Sequence, residues 1–323
     1  MLKNSRLAVA LATAGIAVSA ALAGCSSSGG NGAGPSTVVT SGGHSAAAFP
    51  VTIDAANGSV TLDRQPSAIV SLSPTATEML FAIGAGDQVK AVDKNSDYPA
   101  EAPKTDLDAY QLNAEAVAGY RPDLIISAGL TPAQMKQLTA LHIPVLDEPA
   151  AQNLDGTYDQ LAQLGQATGH EDEAAAEVTD LKAQIAQVTK TVAASGPHSY
   201  YYELDQTYYS VTSTGTFIGQ VLATLGLHSI ADAAKGAAAS GGYPQLSQEY
   251  ILNSDPDYVF LADTKCCKQT PESVAKRPGW PKMSAVQDGR IVALDDDIAS
   301  RWGPRIVDLM KTVAQAIQEH PTA

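Results

Sequence analysis

Apolar and polar positions alternate along this chain in two periods, one helical and one extended. The longest helical stretch is Glu171 to Ala194. There Ala174, Val178, Leu181, Ile185, Val188 and Val192 recur every three or four residues and form one apolar stripe. Glu171, Asp172 and Glu173 suit the positive end of the helix dipole, Lys190 suits the negative end, and Ser195-Gly196-Pro197 stops the helix. At about 1.5 Å per residue this is a rod roughly 36 Å long. It is read as a rigid strut between two lobes.

Before the strut, the alternation on either side of Asn57-Gly58 predicts a β-hairpin. Short apolar runs at 68–72, 88–92, 123–127 and 143–146 predict strands, and 75–83, 112–120 and 131–142 predict helices. After the strut come strands at 199–204, 257–261 and 290–294, with helices at 216–225, 248–253 and 304–319. Strands alternating with helices at this spacing imply parallel sheets covered on both faces. The halves also repeat each other. Glu78-Met-Leu-Phe-Ala-Ile-Gly84 parallels Gln220-Val-Leu-Ala-Thr-Leu-Gly226, and Arg121-Pro-Asp parallels Asp255-Pro-Asp, in the same order and about 140 positions apart. The expected fold is α/β: two Rossmann-like lobes, 49–168 and 197–323, joined by one long helix within 169–196, with a ligand cleft between them.

The start of the chain carries different information. A basic MLKNSR, an apolar run and then Leu22-Ala23-Gly24-Cys25 read as a secretory signal over 1–24, cleaved before a Cys25 that takes the lipid. Residues 25–48, rich in Ser and Gly, read as the lipidated Cys and a flexible tether. The protein is therefore expected on the outer face of the cytoplasmic membrane, held by a lipid without spanning it. The formal charge is −14, and −16 once Lys3 and Arg6 leave with the signal, which argues against nucleic acid.

In open α/β sheets ligands bind beyond the carboxyl ends of the strands, so the loops after strands are the candidates. They hold Tyr98, Tyr110, Tyr208, Tyr209 and Trp302, in a chain with 12 Tyr, 4 Phe and 2 Trp. Tyr and Trp offer a flat stacking face with a polar tip. Tyr200, Tyr201 and Tyr202 read instead as the body of a strand. Arg301 and Lys265 are cations that either meet an anionic ligand or pair with Asp295 to Asp297. Cys266 and Cys267 are adjacent, and a strained vicinal disulfide stiffening a cleft loop is the hypothesis. A soft-metal site is its rival, though no His or third Cys lies nearby. There is no GxSxG elbow, no phosphate-binding GxxxxGK[ST] and no metal spacing among the six His. No enzyme activity, cofactor or bound metal is expected.

The layout resembles the bacterial substrate-binding lipoproteins of iron–siderophore, haem and cobalamin ABC importers, the class with a single linking helix. The resemblance rests on IVSLSPTATEMLFAIGAGDQVKAV, LNAEAVAGYRPDLIISAG, GTFIGQVLATLGL and RPGWPKMSAVQDGRIVALDDDIASRWGPRI. It implies a monomer that catches its ligand outside the membrane and presents it to a permease. In that family an acid early in the first helix of each lobe docks onto permease arginines. Glu78 takes that place in the first lobe and Gln220 in the second, so the charge pair is incomplete. The haem-binding Tyr pattern is not met in DLDAYQLNAEAV, where Tyr110 is the stand-in. A ferric siderophore, already saturated with oxygen ligands, is the first expectation, haem the second and cobalamin the third.

Overall fold

The computed structural model describes residues 49–322. The expected signal, Cys25 and tether lie outside the described residues. The first lobe contains β1 (Val51–Ala55), β2 (Gly58–Leu62), β3 (Ile69–Ser71), α1 (Pro74–Ala82), β4 (Val89–Val92), α2 (Ala114–Gly119), β5 (Leu124–Ser127), α3 (Pro132–Thr139), β6 (Val145–Asp147) and α4 (Leu154–Thr168). The linking helix is α5 (Glu171–Val192). The second lobe contains β7 (His198–Glu203), α6 (Phe217–Ala223), β8 (Leu227–Ser229), α7 (Gln248–Ser254), β9 (Tyr258–Leu261), α8 (Pro271–Ala275), α9 (Ser284–Gln287), β10 (Ile291–Ala293), α10 (Asp296–Ala299) and α11 (Ile306–Glu319).

Each lobe is built on four parallel strands, in the order β4-β3-β5-β6 in the first and β8-β7-β9-β10 in the second. Both orders are second, first, third, fourth along the chain, so the repeat read in the sequence is a repeat of topology. It extends to single atoms. The Pro-Asp carboxylates of Asp123 and Asp257 accept backbone N–H bonds from the start of the first strand, from Ser67 and Ala68 in one lobe (Ala68 N at 2.9 Å) and from Ser199 in the other (2.7 Å). Gly84 and Gly226 close the matching helices α1 and α6, both at φ 82°, a left-handed conformation that favours glycine.

The hairpin β1–β2 docks on the edge strand β6. Asn57 Nδ2 donates to Val145 O (2.8 Å) and the Asp147 N–H donates to Asn57 Oδ1 (3.1 Å), so the exposed edge is covered. Helix α5 buries Ala174, Leu181, Ile185, Val188 and Val192, the predicted stripe, with Val178 packed at its margin. It is not a bare strut. It packs along α4 on one side and α11 on the other, inside one apolar core that runs through both lobes. Each fully buried Val, Leu or Ile adds about 1.5–3 kcal/mol, which resists any separation of the halves along α5.

Helix α4 is absent from the sequence reading because Gly156 and Gly165 interrupt its pattern. Gly165 is there for packing. A Cβ on it would come within 2.6 Å of Ala174 Cβ, so the glycine lets α4 and α5 cross closely.

Candidate functional site

A cavity of about 650 Å³ opens at the carboxyl ends of the first lobe's strands, where α/β sheets bind ligands. Its walls come from Leu72 to Thr75 after β3, Asp93 and Asn95 after β4, and Ala128 to Thr131 after β5. Ala109, Tyr110 and Gln134 add to them. The second lobe supplies one side only, Asp297 and Ser300 to Trp302.

Local chemistry shapes these walls. Asp93 is buried, and its carboxylate accepts from the Asn95 and Ala109 N–H groups (2.8 Å each), fixing the loop that carries Tyr110. Asp147 does the same after β6, accepting from Ser127 Oγ (2.6 Å) and Gly129 N (3.0 Å). Ser73 caps α1 and Thr131 forms a capping box with Gln134, so hydroxyl and amide groups stand at the cavity edge.

Arg301 closes the floor, 8% exposed. Its Nη1 donates to Glu78 Oε1 (2.8 Å) and Asp97 Oδ1 (3.1 Å), and its Nη2 to Asn95 O (2.9 Å) and Asp297 Oδ1 (3.0 Å). Arg305 grips the same Glu78 carboxylate through Nε (2.9 Å) and Nη2. Burial opposes the charge on Arg305, but the hydrogen bond and charge of Glu78 outweigh it and hold its pKa above the ordinary value. For Asp97, too, burial acts upward, yet the Arg301 guanidinium wins and holds the carboxyl below the usual range. Two guanidiniums of the second lobe thus meet two carboxylates of the first, Glu78 and Asp97, and one of their own, Asp297. Trp302 completes the tie: its Nε1 donates to Gln160 Oε1 (2.8 Å) and its carbonyl accepts from Thr157 Oγ1 (2.9 Å), both on α4. Its polar edge is occupied and its half-buried ring lines the cavity.

Of the seven residues expected to bind ligand, Tyr110, Arg301 and Trp302 come together in this cavity. Tyr110 is 86% exposed at its mouth. The other four lie elsewhere. Tyr98 stacks on the Arg305 guanidinium, 4.1 Å from the ring centroid, on the wall of a second hollow with Glu78 and Phe81. Tyr208 packs over Arg277 within the second lobe's outer core, and Tyr209 pairs its backbone with Gln245. Lys265 is exposed and bridges Asp295 (2.8 Å) and Asp297 (2.6 Å). Cys266 and Cys267 are free thiols rather than a disulfide, with Sγ atoms 2.7 Å apart.

The expected docking position needs correction. Glu78 is 3% exposed and its carboxylate is used by two arginines, so it has no face to offer a permease. Gln220 donates to Gln152 O (2.6 Å) across the lobe boundary. The repeat carries a different matched pair. Glu115 and Glu249 each stand second in a helix, α2 and α7, after the capping side chains of Asn113 and Ser247. Both are exposed and neither makes an ion pair among the described residues. Helices α2 and α7 run back into β5 and β9, so their first turns lie at the carboxyl edge of each sheet, beside the cleft. The signal was in the sequence: each acid precedes its Pro-Asp repeat by the same spacing.

A family model described as periplasmic binding protein matches residues 69–298. An ABC transporter substrate-binding lipoprotein of Bacillus subtilis, YvrC, is 32% identical over 280 residues, 83% of this chain and 86% of the relative. A cobalamin-binding protein of Halobacterium salinarum is 31% identical over 286 residues, 84% of this chain and 75% of the relative. Among solved structures, a periplasmic solute-binding protein from Staphylococcus epidermidis, designated a possible iron-binding protein, superposes with TM-score 0.67. It is 28% identical, with 79% of this chain and 99% of that one covered. Two repeated α/β lobes on one linking helix, with a cavity at the strand ends, accord with these matches: the chain belongs to the periplasmic binding protein family, the substrate-binding components of ABC importers.

Proposed function

We propose that the protein captures a large, uncharged, amide-rich ligand of the corrinoid class and delivers it to an ABC importer. The observation that carries this is the state of Arg301. Among the described residues, the cavity's one cation is Arg301, already met by Glu78, Asp97 and Asp297, and Asp93 also lines the wall. A multiply anionic ferric catecholate, or the paired carboxylates of haem, would meet no free positive charge there. Among the described residues no His lines the cavity, so Tyr110 alone is left as a candidate ligand for a haem iron. Ser73, Thr75, Asn95, Thr131, Gln134 and Ser300 instead offer hydroxyl and amide partners around the flat faces of Tyr110 and Trp302. The Halobacterium relative, named for cobalamin binding, supports the same order.

This moves the corrinoid from third place in the ordering drawn from the sequence to first; that ordering rested on a Tyr-rich rim and on Arg301 as a partner for an anionic ligand. A neutral ferric hydroxamate is the second reading. It needs no metal ligand from the protein, and a cavity of about 650 Å³ suits a compact chelate. Visible-absorption titration with cyanocobalamin, a neutral ferric hydroxamate and haemin decides between them. Saturable binding of cyanocobalamin alone supports the corrinoid reading, and saturation by haemin alone overturns it.

Glu115 and Glu249 are proposed as the permease-facing pair, one on each lobe beside the cleft, replacing Glu78 and Gln220. Attachment through Cys25 is proposed from Leu22-Ala23-Gly24-Cys25 and the lipoprotein relative. Fatty-acid labelling that persists in Cys25→Ala would refute it.

A further inference from the structure

The adjacent thiols of Cys266 and Cys267 lie outside the cavity but are wired to it. Their Sγ atoms stand 2.7 Å apart, inside the roughly 3.5–4.0 Å of carbon atoms in van der Waals contact. Cys266 is exposed and Cys267 half-buried, so small reagents can reach the pair. The backbone through the pair is held at three points. Cys266 N–H donates to Asp296 Oδ2 (2.9 Å) and Cys267 N–H to Asp263 O (3.2 Å), while Cys267 O accepts from Gln206 Nε2 (3.3 Å). The Asp296 carboxylate also takes the N–H groups of Thr264 (2.7 Å) and Lys265 (2.9 Å). Three consecutive amides of the thiol loop therefore clamp the first residue of α10. The next residue, Asp297, binds both Lys265 Nζ and Arg301, the cavity floor.

We propose that Cys266 and Cys267 form a reversible dithiol–disulfide site whose oxidation state sets the hold of this loop on Asp296, and through Asp297 the position of Arg301. The oxidant is a small organic disulfide, R–S–S–R. One cysteine thiolate attacks it, forming a mixed disulfide and releasing one R–S⁻. The neighbouring cysteine then displaces the second. The two cysteine protons end on two R–SH, the cysteine pair is oxidised by two electrons, and the small disulfide is reduced. Closing an eight-membered ring through one peptide unit must turn that peptide, because adjacent Cα atoms are closer than an ordinary disulfide spans. The Cys267 N–H, which belongs to that peptide, then leaves Asp263 O, and the hold of the adjoining amides on Asp296 shifts with it.

The test needs no knowledge of the cavity's ligand, so it stands apart from the corrinoid reading. Protein reduced with dithiothreitol is compared with protein treated with oxidised glutathione, by intact mass and by hydrogen-exchange mass spectrometry. The expected result is loss of two hydrogens, loss of alkylation at both thiols, and roughly tenfold faster exchange in 264–269 and 295–302, the effect of losing one hydrogen bond. The Cys266→Ser, Cys267→Ser double variant should show no response to the oxidant. A stable mixed disulfide with glutathione, a disulfide between two chains, or ring closure with unchanged exchange in 295–302 would each overturn the proposal.

Discussion

The two lobes share a frame and differ in what they place on it. Strand order, the Pro-Asp caps and the glycines closing α1 and α6 are the same in both. The difference begins one strand in. Only Leu72 and Ser73 separate β3 from α1, so the strand end opens directly on the cavity. In the second lobe, Leu204 to Thr216 intervene before α6, and Val211, Thr212 and Ser213 are buried against it. Gly219 is required there, since a Cβ would collide with the Thr212 carbonyl. That segment plugs the strand end that the first lobe leaves open. Duplication has kept the scaffold, while loop length has decided which copy holds the cavity.

The sharpest break of the comparison is at repeat-equivalent positions 78 and 220. Glu78→Ala leaves two guanidiniums largely buried without their shared carboxylate and should cost about 3–5 kcal/mol. Gln220→Ala loses one hydrogen bond at the boundary, about 0.5–1.5 kcal/mol. Urea unfolding of both variants checks this, and equal losses would undo the asymmetry. In binding, Trp302→Ala should weaken cyanocobalamin by about 2 kcal/mol, roughly thirtyfold, as for a buried aromatic anchor. Tyr209→Ala, on the plugged lobe, should leave the affinity unchanged in the same titration.

A smaller effect sharpens the likeness, because each lobe buries one carboxyl group without a full set of partners. Burial, then the neighbouring Asp147, raises the Glu148 pKa to about 7 in the first lobe. Burial, then the charge of Glu203, raises Asp263 to about 7 in the second. Glu203 is itself held by Arg277 in a bidentate pair (2.6 Å each), so Asp263 has no cation left to it. Both groups bind their protons more tightly folded than unfolded. Their contribution is therefore fully present below the unfolded carboxyl pKa and is lost as pH rises toward about 7. Each can cost up to about 1.4 kcal/mol per pH unit in that window. Thermal melts from pH 4 to 8 should fall with pH, and Asp263→Asn or Glu148→Gln should each flatten the slope. The smallest expected effect on stability is at Glu115 and Glu249. Alanine at both should stay within about 0.5 kcal/mol of the parent, yet abolish uptake when the protein is paired with its permease in proteoliposomes.

Much of the frame was readable because it rests on periodicity and turn chemistry. The α5 stripe, the hairpin at Asn57-Gly58 and the Pro-Asp repeat all describe local rules that the fold obeys. Helix α4 was hidden because Gly165 serves a crossing with α5, a contact that sequence spacing does not report. At the site, Tyr110, Arg301 and Trp302 were legible from loops after strands. The fate of Arg301 was not: Glu78 lies far from it in sequence, and only the lobe boundary brings them to 2.8 Å. Tyr208 and Lys265 satisfied the same loop rule, but the inserted segment and the Asp295–Asp297 cluster draw them to other partners.

Hydrogen exchange with and without saturating cyanocobalamin tests the central claim most directly, because it asks which lobe's strand ends hold the ligand. Protection is predicted at 72–75, 93–110, 128–134 and 297–302, with 205–214 unchanged. Protection centred on 205–214, or none anywhere at saturating ligand, would contradict it.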